Sequence, residues 1–274
     1  MYDTGYEIRP LQLKILDILI AVDKVCREHG LTYYIVCGTL IGAVRHKGFI
    51  PWDDDLDITM PRPDYDRLMA HASEWMPKPY EVVSYETDPD HYPLPFGKVQ
   101  DGSTTLIERM HLRYLGGIYI DIFPLDGMTK SRIGQWIHFT RYFYYKKVIY
   151  FLHRDPYRHG HGPSSWIPLL CRRFYTLQCV QARMKRLQQQ FNYETSPLCV
   201  EHDKARKSVV PKEVYGKPTP IVFEGREFFG PSQPEVYLEH VYGNYMAIPP
   251  ADKIKQHRFN YLDLEHPYRE YRQS

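Results

Sequence analysis

Asp55 and Asp57 stand two residues apart in the run Asp53-Asp54-Asp55-Leu56-Asp57-Ile58-Thr59-Met60. From Asp55 onward polar and apolar residues alternate as in a strand, so both carboxylates share one face while Leu56 and Ile58 turn to the core. Two like charges so close repel unless a cation occupies the gap. Mg2+ is the natural occupant, because it takes oxygen ligands, keeps several waters and is held by one or two carboxylates plus substrate phosphates. A third acid, Asp121, interrupts the apolar run Gly117-Ile-Tyr-Ile-Asp-Ile-Phe123, where an unpaired carboxylate is costly. If its strand neighbours that of Asp55 and Asp57, the three can hold two metal ions, one on the phosphates of a donor and one lowering the pKa of an attacking hydroxyl. The plainer alternative is a solvated acidic turn with Asp121 in a salt bridge at a strand end. The buried setting of Asp121 weighs against it.

Gly38-Thr39, upstream of the acids, suits a tight strand-to-helix turn whose backbone N–H groups can approach a phosphate. Alone the pair says little. Followed by Asp-x-Asp on a strand, it gives the ordered outline of the nucleotidyltransferase superfamily. Lys98, in Phe96-Gly97-Lys98-Val99-Gln100-Asp101, is a lone cation in a short strand expected near the sheet centre; it is read as a phosphate contact, or else as an exposed strand lysine.

These residues need a scaffold. Leu11 to His29 carries apolar residues at helical spacing, with Pro10 suited to its start and Gly30 to its end. A strand over Thr32–Cys37 and a short helix over Leu40–Arg45 follow. Strands are expected at Asp55–Met60, Tyr80–Tyr85, Phe96–Gln100, Thr104–Ile107 and Gly117–Phe123, with a helix opening at Pro63. Arg132–Leu152 and Ser165–Gln190 are long, helical in pattern and rich in basic and aromatic residues. Short strands return around Val209 and over Ile221–Phe229, before a helix at Pro234–Tyr242. The expected fold class is therefore α+β: a mixed sheet flanked by helices, with an additional helical region. The expected division is a catalytic core over 1–130, a helical basic and aromatic insert over 131–205, and a C-terminal segment over 206–274 that returns to the core.

The 274 residues suffice for one sizeable core. With 43% hydrophobic and 25% charged residues, the disordered and membrane-spanning classes are set aside. A net charge of +2 argues against a polyanion-coating protein, so nucleic acid is not the expected partner. Five cysteines without a CxxC pair do not suggest a disulfide framework, and Met1–Glu7 lacks the start of a signal peptide; a reducing cytoplasm is expected. Cys171, Cys179, Cys199 and His202 are weighed as zinc ligands, although structural zinc sites show tighter pairs.

The stretch Tyr34-Ile-Val-Cys-Gly-Thr-Leu-Ile-Gly-Ala-Val-Arg-His-Lys-Gly-Phe-Ile-Pro-Trp-Asp-Asp-Asp-Leu-Asp-Ile58 closely resembles the signature of the LicD/fukutin family. Gly117-Ile-Tyr-Ile-Asp-Ile-Phe-Pro-Leu-Asp-Gly127 resembles its second acidic motif, and Tyr242-Gly-Asn-Tyr-Met246 with Pro249-Pro250 its C-terminal one. The resemblance implies a nucleotidyltransferase-like fold, dependence on Mg2+ (or Mn2+ in its place), and transfer of phosphocholine or a related phospho-alcohol from a CDP-alcohol, above all CDP-choline, to a cell-surface glycan. It implies that Asp55 and Asp57 hold metal with Asp53 just before them, and that Asp121 is metal ligand and general base. Arg45, His46 and Lys47 lie within the signature and can neutralise a pyrophosphate. Trp52 can stack on the cytosine or the acceptor sugar, or pack in the core.

Two readings compete: a nucleotide-sugar glycosyltransferase using Asp55-Leu56-Asp57, and a non-catalytic glycan- or choline-binding module built from the 24 Tyr and 12 Phe residues. The basic helices can rest on an anionic cytoplasmic membrane, suiting a lipid-linked glycan acceptor, or can pack on the catalytic lobe.

Overall fold

The computed structural model describes residues 6–108, 115–157, 160–250, 254, 257 and 259–272. Leu11, Ile15, Ile18, Leu19, Val22 and Val25 form one buried stripe of helix α1 (Ile8–His29), which Gly30 ends in the left-handed conformation at φ 60°. The expected strand over Thr32–Cys37 shrinks to β1 (Tyr34–Ile35), because helix α2 (Cys37–His46) already begins at Cys37. Strand β2 (Asp57–Pro61) leads into α3 (Arg62–Ala70) and α4 (Ala72–Trp75), followed by β3 (Tyr80–Val83), β4 (Gly97–Asp101), β5 (Thr105–Ile107) and the ten-residue β6 (Tyr119–Met128).

The sheet runs β1-β2-β6-β4-β3. Only β2 and β6 pair in parallel within it; the other pairs are antiparallel, so the sheet is mixed and the fold is α+β. Strand β6 lies at its centre and serves two sets of partners. Its first half pairs with β2 and β4, and Asp126–Met128 pair with β7 (Leu198–Val200), beside which lies β8 (Val210–Pro211). Helix α1 packs on β4 and β6, so the apolar residues of those strands and the helical stripe form the main core.

The helical region comprises α5 (Arg132–His153), α6 (Pro163–Phe174) and α7 (Leu177–Gln188). The single helical pattern expected over Ser165–Gln190 breaks at Tyr175-Thr176, where the Thr176 hydroxyl accepts the Cys179 N–H and caps α7. Tyr142, Val148 and Ile149 of α5 and Val180, Met184 and Leu187 of α7 make a second apolar cluster. The Gln188 side chain donates to the Pro95 carbonyl at 3.1 Å, and Gln181 donates to that of Tyr92, which ties α7 to the β3–β4 connection. The remaining chain forms α8 (Lys212–Tyr215), the hairpin of β9 (Thr219–Phe223) and β10 (Arg226–Gly230), α9 (Pro234–Tyr242), and β11 (Tyr261–Asp263) against β5. Glu224 and Gly225 both take positive φ, as a two-residue hairpin turn requires.

Candidate active site

The register of the sheet aligns three charged residues in one row. Asp57 of β2 is the Cα partner of Asp121 of β6, and Asp121 is the Cα partner of Lys98 of β4. Strands lie about 4.8 Å apart, so aligned residues present their side chains together on one face. The Asp121 N–H donates to the Leu56 carbonyl at 2.9 Å, and the Asp57 N–H donates to the Thr39 hydroxyl at 2.8 Å. Thr39 thus sets the backbone at the mouth of β2. Gly38 is needed for a different reason: a Cβ there would stand 2.8 Å from Asp53 Oδ2. Cys37, at φ 53°, holds a left-handed conformation that a non-glycine residue adopts at some cost, and it starts α2 beside the acids.

The strand expected from Asp55 begins only at Asp57. Asp53, Asp54 and Asp55 lie in the preceding loop, which is held from several sides. Gln12 donates to the carbonyls of Ile50 and Asp53, while buried Asp54 accepts from Tyr6 at 2.8 Å and from the His257 N–H at 2.9 Å. His257 Nδ1 also lies 2.7 Å from Asp54 Oδ1, and this bond together with nearby carboxylates raises the His257 pKa to about 9. Asp54 therefore anchors the loop, leaving Asp53 and Asp55 to face one another.

Crowding is visible in the titration of the acids. Burial and then Asp55 push Asp53 well above the usual carboxylate range; burial, Asp55 and Asp121 do the same to Asp57. Burial raises Asp55 as well, with His257 opposing. Asp121 rises to about 6, again through burial, held down by Lys98 and pushed up by Glu108 and Asp55. Lys98 is buried, with its ammonium 3.3 Å from Asp121 Oδ1 and 3.1 Å from the centre of the Tyr119 ring. Apart from that ion pair, Asp121 Oδ1 accepts no hydrogen bond among the described residues. Among the described residues no group of three or more His, Cys, Asp or Glu side chains forms a ready-made metal cage. The donor set is nevertheless all oxygen, over-supplied with negative charge and short of hydrogen bonds. Those properties fit a hard divalent ion that takes one or two protein carboxylates and completes its shell from phosphates and water.

The other residues read from sequence land in distinct places. Arg45 donates to the Tyr245 carbonyl at 2.8 Å and to His46 Nε2 at 2.9 Å, so its guanidinium holds the segment after α9, with Asp53 as its nearby charge. Lys47 is exposed and caps the C-terminal end of α2, about 13 Å along the helix from Gly38. Trp52 is half-buried and meets His46 edge to face. The weighed zinc ligands do not converge: Cys199 Sγ faces the Val210 carbonyl, Cys171 packs in the second apolar cluster, Cys179 is exposed, and His202 lies against His138 at 3.0 Å.

Sequence reasoning missed Asp203 and Lys204. Lys204 pairs with Asp203 at 2.7 Å; burial works against its ammonium, yet Asp203, Cys37 and Asp57 raise its pKa. Behind it, buried Glu201 accepts from Tyr215 at 2.7 Å and Tyr237 at 3.1 Å, fixing the strand end from which Asp203 and Lys204 emerge. No local pattern marks these residues, because only the pairing of β7 with β6 brings them to the acids. A surface groove of about 1060 Å3 between α3, α4 and β3 holds none of the acids named above, and four of its charges pair with one another, Arg269 with Glu81 at 2.7 Å and Lys185 with Glu86 at 3.2 Å.

Comparison with known proteins identifies the same region. Residues 30–156 match the model of the LicD/FKTN/FKRP nucleotidyltransferase domain, a span that contains Gly38, Thr39, the loop of acids, Lys98 and Asp121. The lipopolysaccharide cholinephosphotransferase LicD of Haemophilus influenzae is 28% identical over 272 residues, covering 91% of this chain and 95% of that protein. An uncharacterized protein of Rickettsia prowazekii is 36% identical over 74 residues, 27% of each chain. A second uncharacterized protein, from Rickettsia typhi, is 44% identical over 46 residues, 17% of this chain and 15% of its own. Residues 30–156 thus resemble a LicD/fukutin nucleotidyltransferase domain, and nearly the whole chain is similar to a lipopolysaccharide cholinephosphotransferase.

Proposed function

We propose that the protein transfers phosphocholine, or a closely related phospho-alcohol, from a CDP-alcohol to a hydroxyl of a lipopolysaccharide-type cell-surface glycan and releases CMP. The observation that carries this reading is the row Asp57–Asp121–Lys98 across three neighbouring strands, in a chain that aligns over 91% of its length with a lipopolysaccharide cholinephosphotransferase. Mg2+, or Mn2+, held as two ions by Asp55, Asp57 and Asp121 with Asp53 beside them, would supply the positive charge that binds the donor diphosphate and eases ionisation of the acceptor hydroxyl.

The protein's own groups have separable tasks. Asp121 takes the proton of the acceptor hydroxyl as its oxygen bonds to the distal phosphorus, while the bond from that phosphorus to the CMP oxygen breaks. Lys98 keeps the Asp121 carboxylate ionised and aimed. Lys204 and His257, both cationic beside the acids, offset the charge of the donor phosphates. Thr39 fixes Asp57, and Gly38 leaves Asp53 room to approach. A lipid-linked glycan as acceptor would put the reaction at the cytoplasmic face of the cell membrane.

A nucleotide-sugar glycosyltransferase would also use an Asp-x-Asp pair, but it gives no task to an acid on the adjacent parallel strand. The deciding assay incubates the purified protein with Mg2+, a lipopolysaccharide acceptor and a panel of CDP-choline, CDP-ethanolamine, CDP-glycerol and CDP-ribitol, and follows CMP. Acceptor-dependent CMP release from CDP-choline is the expected result. Turnover of nucleotide sugars with release of a nucleoside diphosphate, and none of CDP-alcohols, would overturn the proposal.

A further inference from the structure

Helix α6 is built inside out. It buries Ser165, 3% exposed, and Pro168, while Trp166 at 66%, Leu170 at 59% and Phe174 at 70% face outward with Ile167 and Leu169. At 100° per residue these five apolar side chains fall in one arc, which Arg173 joins near its C-terminal end, so the pattern is a helix face and not scattered exposure. Helix α5, which packs beside it, buries Phe139, Tyr142, Val148 and Ile149 and still leaves a second apolar face outward. Gln135 and His138 point in, whereas Ile133, Trp136, Ile137, Phe143 and Tyr144 make an outward stripe at helical spacing. Apolar helix faces left uncovered in this way mark an interaction site.

Charge selects the occupant. Between Arg132 and Gln190 stand eleven Lys and Arg residues and a single acid, Asp155, in a chain whose net charge is only +2. Arg141, Lys146, Lys147, Arg172 and Arg173 are exposed on the two helices that carry the apolar faces. A second copy of the chain would bring the same positive charge to the contact, which disfavours self-association through this face. Between α5 and α6 runs a groove of about 550 Å3 lined by Val148, Phe151, Ile167 and Phe174, with Lys147 and Arg183 contributing cations to its wall. No helix among the described residues is long and apolar enough to cross a membrane. Outward tryptophans and leucines bordered by arginines and lysines are what a helix lying in a bilayer interface presents.

We propose that the outer faces of α5 and α6 form a monotopic docking surface for an anionic phospholipid bilayer. The apolar arc would enter the headgroup boundary while the surrounding cations meet lipid phosphates. This deepens the proposed transfer to a lipid-linked acceptor, since docking would hold the enzyme on the surface in which that acceptor is anchored. It stands on the helices' own geometry and is tested by binding alone, without donor or acceptor.

The experiment is flotation of the full chain with vesicles of phosphatidylglycerol and phosphatidylethanolamine, against vesicles of phosphatidylcholine only. The wild type should float with the anionic vesicles, and emission from Trp136 and Trp166 should shift to the blue. Arg172→Glu with Arg173→Glu should lower partitioning by roughly tenfold or more. Trp166→Ser, Leu170→Ser and Phe174→Ser together should lower it about 100-fold. Both variants should keep the wild-type circular dichroism and the wild-type rate of CMP release with a detergent-soluble acceptor. A wild type that stays unbound, or a triple variant that floats as well as the wild type, would overturn the proposal. A wild type that scatters light as a dimer, without vesicle binding, and becomes monomeric in the triple variant would overturn it in favour of a self-interface. Loss of CDP-choline turnover with vesicle binding intact would instead count against the proposed reaction and leave the docking surface standing.

Discussion

The two halves of β6 carry one aspartate each, and they put it to opposite uses. Asp126 is buried and receives a two-pronged contact from Arg62, both N–O distances being 2.7 Å. Asp121, five residues earlier and hence on the other face of the strand, sits among Asp55, Asp57 and Glu108, with Lys98 as its ion-pair partner. The first carboxylate is neutralised by the fold. The second is left short of positive charge by the fold, a deficit that the proposed binding of cations and phosphates would use. A fully paired acid contributes structure; an underpaired one costs stability in the empty protein and gains it back on ligand binding.

Replacing Asp121 with Asn gives the largest expected break in this contrast. Transfer should fall by at least ~10^3-fold, about 4 kcal/mol in the barrier, because the proposed proton acceptor is lost. The melting temperature of the metal-free protein should hold or rise, since a repelling charge is removed. A variant that retains transfer, or unfolds, would deny Asp121 its role. Asp126→Ala should do the reverse. It strands the buried Arg62 and should cost about 3–5 kcal/mol of stability, a fall of about 10 °C in melting temperature, with transfer per folded molecule changed less than threefold.

Lys98→Met sharpens the comparison by moving Asp121 further from the condition of Asp126. The Asp121 pKa is already raised to about 6, so its contribution to stability is full below about pH 4 and is lost as pH rises through 6. Without Lys98 that loss should extend to higher pH in melting curves taken without metal, and transfer near neutral pH should fall about 10-fold to 100-fold. Melting curves that superimpose on the wild type would show that Lys98 does not govern Asp121. The smallest effect is expected for Gly38→Ala, whose Cβ would press on the Asp53 carboxylate at 2.8 Å. A loss of about tenfold in transfer, or ~1.4 kcal/mol, should appear with little change in melting temperature.

Much of this was legible in the residues themselves. Alternation and helical spacing are local signals, so α1 with its Gly30 end, the start of α3, β4 and α9 can be read with little error in their limits. The motif resemblance located Asp55, Asp57 and Asp121 and the order of the elements that carry them. The limits that shifted did so where tertiary contacts compete with propensity. β2 starts late because Gln12, Tyr6 and His257 hold the acidic loop in place, and β6 runs on past Pro124 because β7 pairs with its far half.

Other assignments depended on distances that sequence spacing does not carry. Asp54 and Asp55 are neighbours of the same type, yet contacts from Tyr6 and His257, far away in the chain, make the first an anchor. Lys98 could be an exposed strand lysine until the antiparallel register of β4 and β6 sets it against Asp121. Asp203 and Lys204 enter the site from a strand more than 140 residues after Asp57. Residue types alone mark Asp55, Asp57, Asp121 and Lys98 as groups able to meet metal or phosphate, because ligand chemistry belongs to the side chain. Which of them are paired, which are left wanting charge and which apolar helix faces remain uncovered was decided by the tertiary structure, because those properties depend on long-range contacts.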